Sequence, residues 1–221
     1  MRTVVFDLDG TLADTSGDLL DAANAVFRAE GHGDVLEHPR DAGTALRGGR
    51  AMFRLGYERL GAPVTDALLD AHYPKLIEAY FDQLCTKTTL YDGAEAVLIR
   101  LKRAGYKLAV CTNKPIELAD PLLHRLGISE LFDAIVGAKT LPVSKPDPAP
   151  YILSVEQAGG TLARSLLVGD TATDRKTSTA AGVPSVLVTF SPAGNSVMEL
   201  FPDDTIDHFD ALDAVVAKLI G

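Results

Sequence analysis

The sequence predicts an α/β protein: a Rossmann-like parallel sheet between two helical layers (three-layer α/β/α), with an α-helical domain inserted after the first strand. Three observations predict it. Short apolar runs without polar alternation recur along the chain, as in strands buried on both faces. Helical patterns closed by glycine separate most of them, which is the alternation of a parallel sheet. One long stretch, from Thr15 to Thr89, carries helical patterns and no convincing strand.

The strands expected are TVVFD (3–7), KLAVCT (107–112), DAIVGA (133–138), SLLVGD (165–170) and PSVLVTF (184–190). Residues 93–104 place apolar side chains at helical spacing and stop at Gly105. Residues 115–126 open on Pro115, a good first helical position, and stop at Gly127, although Pro121 argues against one straight helix. Residues 148–158 and 172–181 are closed by Gly159 and Gly182.

Within the interrupting stretch, DLLDAANAVFRAEG reads as a helix, with Thr15 and Asp18 spaced as a capping box. RAMFRLGYERLG, DALLDAHYPKL and IEAYFDQL read as further helices. Such a length is too great for a loop in a compact domain, so an inserted domain is expected. The core then comprises residues 1–14 and 90–221, and the insert residues 15–89.

The 221 residues carry 21 Lys plus Arg against 30 Asp plus Glu, a formal charge of −9. That balance argues against a nucleic-acid or anionic-membrane surface, but allows a small anion in a locally positive pocket. The two cysteines, Cys85 and Cys111, make no CxxC pair and no disulfide framework, and Cys111 reads as a small core residue. Acid appears by Asp7, too early for a secretory signal, and no run reaches the ~20 apolar residues of a membrane span. A soluble, cytoplasmic protein is expected, as a monomer or homodimer.

The first strand ends in two aspartates, Asp7 and Asp9, with Leu8 between them. On an extended chain they point to the same side, roughly 7 Å apart. At an effective dielectric of ~20 they repel by roughly 2 kcal/mol. A cation, a shared proton or exposure to water must relieve this. In open parallel sheets ligands bind at the carboxyl ends of the strands. The other ends supply Thr112, Asn113 and Lys114, then Lys145 in SKPDP, then Gly169, Asp170 and, one helical turn on, Asp174. Several carboxylates with oxygen donors suit a hard cation such as Mg²⁺. A lysine and the free N–H groups before a helix suit an anion. Together they describe a phosphate site.

With these motifs the chain resembles the haloacid dehalogenase superfamily, in its phosphatase branch with a helical cap, and is most similar there to phosphoglycolate phosphatases. The resemblance runs nearly end to end on DLDGT (7–11), Thr112 in VCTNK, Lys145 in SKPDP, and GDTATD (169–174). It implies that Asp7 attacks phosphorus and forms an aspartyl-phosphate. Asp9 is implied to protonate the leaving alkoxide and then to deprotonate the hydrolytic water. Thr112 and Lys145 are implied to bind phosphoryl oxygens, with Gly10 letting the backbone approach and Asn113 donating. Mg²⁺ is implied on Asp7, Asp170 and the main-chain carbonyl of Asp9, with Asp174 as a further ligand, direct or through water. The substrate class implied is a small phosphorylated metabolite, with 2-phosphoglycolate the best guess. In the family the cap closes over the core and shapes the substrate pocket. In that insert, TALRGGRAM (44–52) offers Arg47 and Arg50 to a substrate carboxylate.

Taken singly, each motif has a plainer explanation: a solvated turn, a helix cap, a surface lysine, acids at a helix start. Joined in this order, those explanations need four coincidences at one sheet edge. The two cap arginines read equally well as a solvated helix start. Two stretches depart from the commoner family pattern: RKTSTAAG after GDTATD is polar, and TLYDG (89–93) stands where a Pro-Gly type sequence is common. A phosphosugar mutase of the β-phosphoglucomutase type keeps the same two aspartates and is the alternative reading. A non-catalytic phosphate-binding regulator is a third, opposed by the presence of every site residue. A dehalogenase would leave Asp9 without a task, and a phosphonatase would need a cap lysine that the sequence does not identify.

Overall fold

Val4, Val5 and Phe6 are wholly buried, as are Leu108 to Cys111 and Leu166 to Val168, and that double-sided burial makes them central strands. The computed structural model describes residues 1–221, in two compact units: Met1–Ala13 with Leu90–Gly221, and Asp14–Thr89.

The first unit is built on six strands: β1 (Thr3–Phe6), β4 (Lys107–Pro115), β5 (Ala134–Ala138), β6 (Ser165–Gly169), β7 (Ser185–Val188) and β8 (Asp204–Ile206). Two-residue strands β2 (Ala13–Asp14) and β3 (Thr89–Leu90) mark where the chain leaves this unit and returns. The order is β5-β4-β1-β6-β7-β8, and every pairing is parallel. β1 lies at the centre, with Phe6 opposite Val110 on β4 and Val168 on β6. The chain builds outward on one side of β1 and then on the other, so the direction reverses at β1. Ligands collect at such a reversal.

Helices cover both faces. α7 (Ala149–Gln157) and α8 (Ala172–Ala181) pack on one face. There Val5, Ala109, Cys111 and Leu167 meet Tyr151, Val155 and Ala158 in a single apolar cluster. α5 (Ala94–Arg103), α6 (Ile116–Arg125) and α9 (Leu212–Ile220) cover the other. Successive strand residues alternate between the two, so both faces are dry.

The second unit holds α1 (Ser16–Ala29), α2 (Ala42–Ala45), α3 (Gly49–Arg59) and α4 (Asp66–Asp82). Phe27 meets Phe53 at 5.6 Å and Tyr57 at 5.4 Å between ring centroids, both edge to face. Gly56 permits this: a Cβ there would fall 2.2 Å from Phe27 Cζ. Asp41, 3% exposed, is gripped by Arg59 through two 2.6 Å hydrogen bonds.

Three local expectations differ. DALLDAHYPKL and IEAYFDQL form one helix, α4, which runs through Pro74. Thr15 makes no side-chain capping bond at α1, and Asp18 turns instead to a distant segment. Its carboxylate, fully buried, accepts from the N–H groups of Thr86, Lys87 and Thr88 and from Thr88 Oγ1. A local capping pattern was outcompeted there by four bonds made some seventy residues along the chain. The strand β8 and the helix α9 were not anticipated. No helix is long and apolar enough to cross a membrane.

Candidate active site

The carboxyl ends of β1, β4 and β6 lie side by side, and each delivers part of one cluster. From β1, the Asp7 N–H still donates to Val168 on β6 (2.9 Å), so the ladder holds the backbone up to that residue. The chain then turns sharply: the N–H groups of Thr11, Leu12 and Ala13 all return to the Leu8 carbonyl. Gly10, at φ 83°, makes the turn possible.

From β6, Asp170 and Asp174 enter at the start of α8. Asp174 is wholly buried, and its Oδ2 accepts from the N–H groups of Asp170 and Thr171 and from Thr171 Oγ1, a capping box. Gly169 makes room: a Cβ there would sit 2.4 Å from the Cβ and Cγ of Asp174. Asp170 accepts from Thr11 Oγ1 at 3.1 Å, which ties the β1 loop to the β6 end.

From β4, the strand bulges between Cys111 and Pro115. The Asn113 side chain clasps the main chain of Lys145, accepting its N–H and donating to its carbonyl, both at 2.9 Å. Lys145 has no regular element beneath it, and this clasp holds it. Its ammonium, with the side chain 2% exposed, lies 3.0 Å from Asp7 Oδ1 and 2.7 Å from Asp174 Oδ1. Lys114 reaches Asp9 in the same way, at 2.8 Å, with its side chain 4% exposed.

The repulsion expected between Asp7 and Asp9 is therefore relieved by two buried lysines, one for each carboxylate. The sequence places Lys114 at this strand end but assigns it no role. A signal existed: Thr112 and Lys114 share the i, i+2 parity of Asp7 and Asp9, so both face one side of the strand.

Burial is the main force on the titrating groups. It pushes Asp7 up to about 6, with help from the charges of Asp174 and Asp9 and against Lys145. Asp170 is raised well above its ordinary value, again by burial first and then by Asp174 and Asp7. Lys145 is raised because Asp174 and Asp7 outweigh its own desolvation. Beneath them burial pushes the Cys111 thiol up to about 12, so it stays a protonated core residue.

Carboxylate oxygens of Asp7, Asp170 and Asp174 lie within 4.8 Å of one another. Three carboxyl groups crowd the one Lys145 ammonium in a buried space, and burial with their mutual repulsion raises two of them. A divalent cation with a preference for oxygen fits that donor set. Both oxygens of Asp174 already accept hydrogen bonds, Oδ1 from Lys145 and Oδ2 from the capping box. Asp7 and Asp170 are therefore the side chains with more capacity for a metal.

A model of haloacid dehalogenase-like hydrolases matches residues 1–182. The chain belongs to this family. It is 37% identical to a phosphoglycolate phosphatase of Mesorhizobium japonicum over 97% of this chain and 94% of that one. It is also 37% identical to a phosphoglycolate phosphatase of Agrobacterium fabrum, over 98% and 93%. Among solved structures, a predicted phosphoglycolate phosphatase from Haemophilus somnus superposes with a TM-score of 0.83, at 25% identity and 97% coverage of both chains. The α/β core of this hydrolase is thus the family's fold.

The two arginines singled out in the helical unit differ in their partners. Both are exposed: Arg50 pairs with Asp66 and Asp70, whereas Arg47 donates to Thr44 Oγ1 at 3.0 Å. In the polar run after Asp174, Thr177 and Ser178 are buried and donate back to the carbonyls of Thr173 and Arg175. These hydroxyls are satisfied within α8 and take no part in the cluster.

Proposed function

We propose that the protein is a magnesium-dependent phosphomonoesterase that works through an aspartyl-phosphate on Asp7. The observation that carries this reading is the pair of adjacent carboxylates, Asp7 and Asp9, each held by its own buried lysine beside a three-carboxylate cluster. The names of the relatives favour 2-phosphoglycolate as substrate, with glycolate and phosphate as products. The helical unit is assigned the role of cap, and Arg47 rather than the acid-paired Arg50 is its stronger candidate for a substrate contact.

An Asp7 oxygen attacks phosphorus, and the bond to the ester oxygen breaks. The electron pair stays on that oxygen, which takes the proton of Asp9 and leaves as an alcohol. Water then attacks the phosphorus of the aspartyl-phosphate, Asp9 recovers a proton from it, and the Asp7 oxygen–phosphorus bond opens to release phosphate. A carboxylate nucleophile thus divides a difficult hydrolysis into two displacements. Lys145 keeps Asp7 ionised and meets the incoming phosphoryl oxygens with Thr112. Asn113 holds Lys145 in place for this. Magnesium bound by Asp7, Asp170 and the Asp9 carbonyl would offset phosphoryl charge, which such transfers need more than covalent help.

Hydrolysis of 2-phosphoglycolate and p-nitrophenyl phosphate with and without Mg²⁺ tests the reading. Asp7→Asn is expected to abolish turnover. Asp9→Asn is expected to cut it by ~10²–10⁴-fold, the usual worth of a positioned acid. Equal and mild losses in the two variants overturn the roles. Transfer to an added sugar phosphate faster than release of inorganic phosphate favours a mutase.

A further inference from the structure

Asp18 is wholly buried, yet it belongs neither to the carboxylate cluster nor to the cap of its own helix. It accepts from the N–H groups of Thr86 at 3.1 Å, Lys87 at 2.8 Å and Thr88 at 3.0 Å, and from Thr88 Oγ1 at 2.6 Å. Those residues lie where the chain is about to leave the helical unit, and Asp18 lies where it has just entered. The two crossings, Ala13–Asp14 and Thr89–Leu90, pair as β2 and β3. Asp14 Oδ1 accepts from the N–H and Oγ of Ser16, so the link from β2 to α1 is fixed as well. Covalent chain and hydrogen bonds thus close a ring: β2, the first turn of α1 with Asp18, residues 86–88 and β3. This ring adjoins the loop of the proposed proton donor. The Gly10 N–H donates to the Ala13 carbonyl at 2.9 Å, Asp9 bridges to Ala13, and the Tyr91 N–H donates to the Leu12 carbonyl at 3.0 Å.

We propose that Asp18 is a positioning residue for proton transfer: by fastening the two crossings together it fixes the backbone that carries Asp9. This rests on the phosphatase reading above. Lys114 holds the Asp9 carboxylate, but the main chain of Asp9 meets Ala13 on β2, and the partner of β2 is β3. A carboxylate suits the task, because it accepts several N–H and O–H groups at once and donates nothing back. An amide in its place turns an N–H towards groups that are themselves donors. A displacement of about 1 Å in a reacting group can cost roughly 10²-fold in rate. Here that loss falls on the acid's task alone: an alkoxide needs a proton to leave, whereas p-nitrophenolate leaves without one.

The test measures kcat/KM in the Mg²⁺-loaded full-length enzyme on two alkyl esters, 2-phosphoglycolate and benzyl phosphate, and on p-nitrophenyl phosphate. That ratio covers the steps up to departure of the alcohol and so excludes the later attack of water. Asp18→Asn is expected to lose roughly 10- to 100-fold on both alkyl esters and less than about 3-fold on p-nitrophenyl phosphate. Thr88→Val removes one of the four bonds; it is expected to show the same imbalance at smaller size, and it decides the matter if Asp18→Asn does not fold. Asp41→Asn, which loosens the helical unit away from the crossings, is expected to keep the balance of the wild type. Thermal unfolding shows which variants are folded at the assay temperature. Equal losses on all three esters overturn the inference, as does a loss confined to 2-phosphoglycolate, which marks recognition of its carboxylate. An unchanged rate in both Asp18→Asn and Thr88→Val overturns it too, as does the same imbalance in Asp41→Asn. All of these leave the phosphatase reading standing. A wild type inactive on the three esters overturns that reading, and this inference with it.

Discussion

Lys145 Nζ lies 3.0 Å from Asp7 Oδ1, although 138 positions separate the two residues in the chain. The contact joins the proposed nucleophile to the cation that keeps it charged. The burial of Asp7 costs stability, since its carboxyl is raised to about 6 even with the lysine present.

That cost gives a signed expectation. In the unfolded chain Asp7 ionises near 3.8, whereas in the folded protein it ionises near 6. Between these values the native state holds more protons than the unfolded one, so stability falls as pH rises through this window and stays lower above it. Asp7→Asn removes this effect. Without metal, the variant should therefore unfold at a higher temperature than the wild type at pH 7–8, and the gap should close near pH 4. Thermal unfolding in EDTA across that range measures it. A variant less stable than wild type at pH 7 contradicts the burial argument.

Magnesium should reverse the penalty. Binding to the native state alone, at a free concentration about 100 times its Kd, adds about 2.7 kcal/mol of stability. A rise in unfolding temperature on adding Mg²⁺, lost with EDTA, is the expected result. Asp170→Asn should remove most of the rise, because Asp170 has capacity that the hydrogen-bonded Asp174 lacks. An equal rise in that variant would place the metal elsewhere.

Gly169→Ala should harm activity without touching a proposed catalytic group. Its Cβ would collide with the Asp174 side chain, whose carboxylate caps α8 and holds Lys145. Overpacking of this kind costs about 1–3 kcal/mol. Turnover should fall at least as sharply as stability, because Lys145 moves with its anchor. Steady-state rates on a variant shown to be folded decide this.

In the helical unit, Asp41 is held well below the usual carboxylate range, first by the hydrogen bonds from Arg59. A depressed carboxylate stabilises the fold fully above its unfolded value and loses that contribution as pH falls through the folded value. Asp41→Asn should thus cost about 1.5–3 kcal/mol at neutral pH, the range for hydrogen bonds to charged groups, because Arg59 remains partly open to water. The difference from wild type should narrow below pH 4. Parallel denaturation series at pH 7 and pH 3 measure it, and a gap that widens in acid would refute the assignment.

Much of the fold could be read because central strands buried on both faces leave continuous apolar runs, as in residues 165–169. β8 left none: its three residues, Asp204, Thr205 and Ile206, lie at the sheet edge and only Ile206 is buried. α4 reads as two segments in the sequence, 66–76 and 77–84, because nothing local shows that the two patterns continue as one helix. Asp18 fitted a local cap equally well, and its bonds to residues 86–88 depend on tertiary folding. In the site, the acids and Lys145 were legible by their positions at strand ends. Lys114 was legible as a strand-end residue on the same side as Thr112, but its pairing with Asp9 was not, since that contact joins residues 105 positions apart.

The amide of Asn113, which grips the peptide of Lys145 from both sides, also bears on how this site can change. The ammonium takes its position from a neighbouring strand, and the 139–144 stretch that leads to it has no part in that grip. Residues can therefore be inserted or exchanged there while the charge beside the nucleophile stays in register. That stretch is thus free to diverge without displacing the ammonium from the cluster.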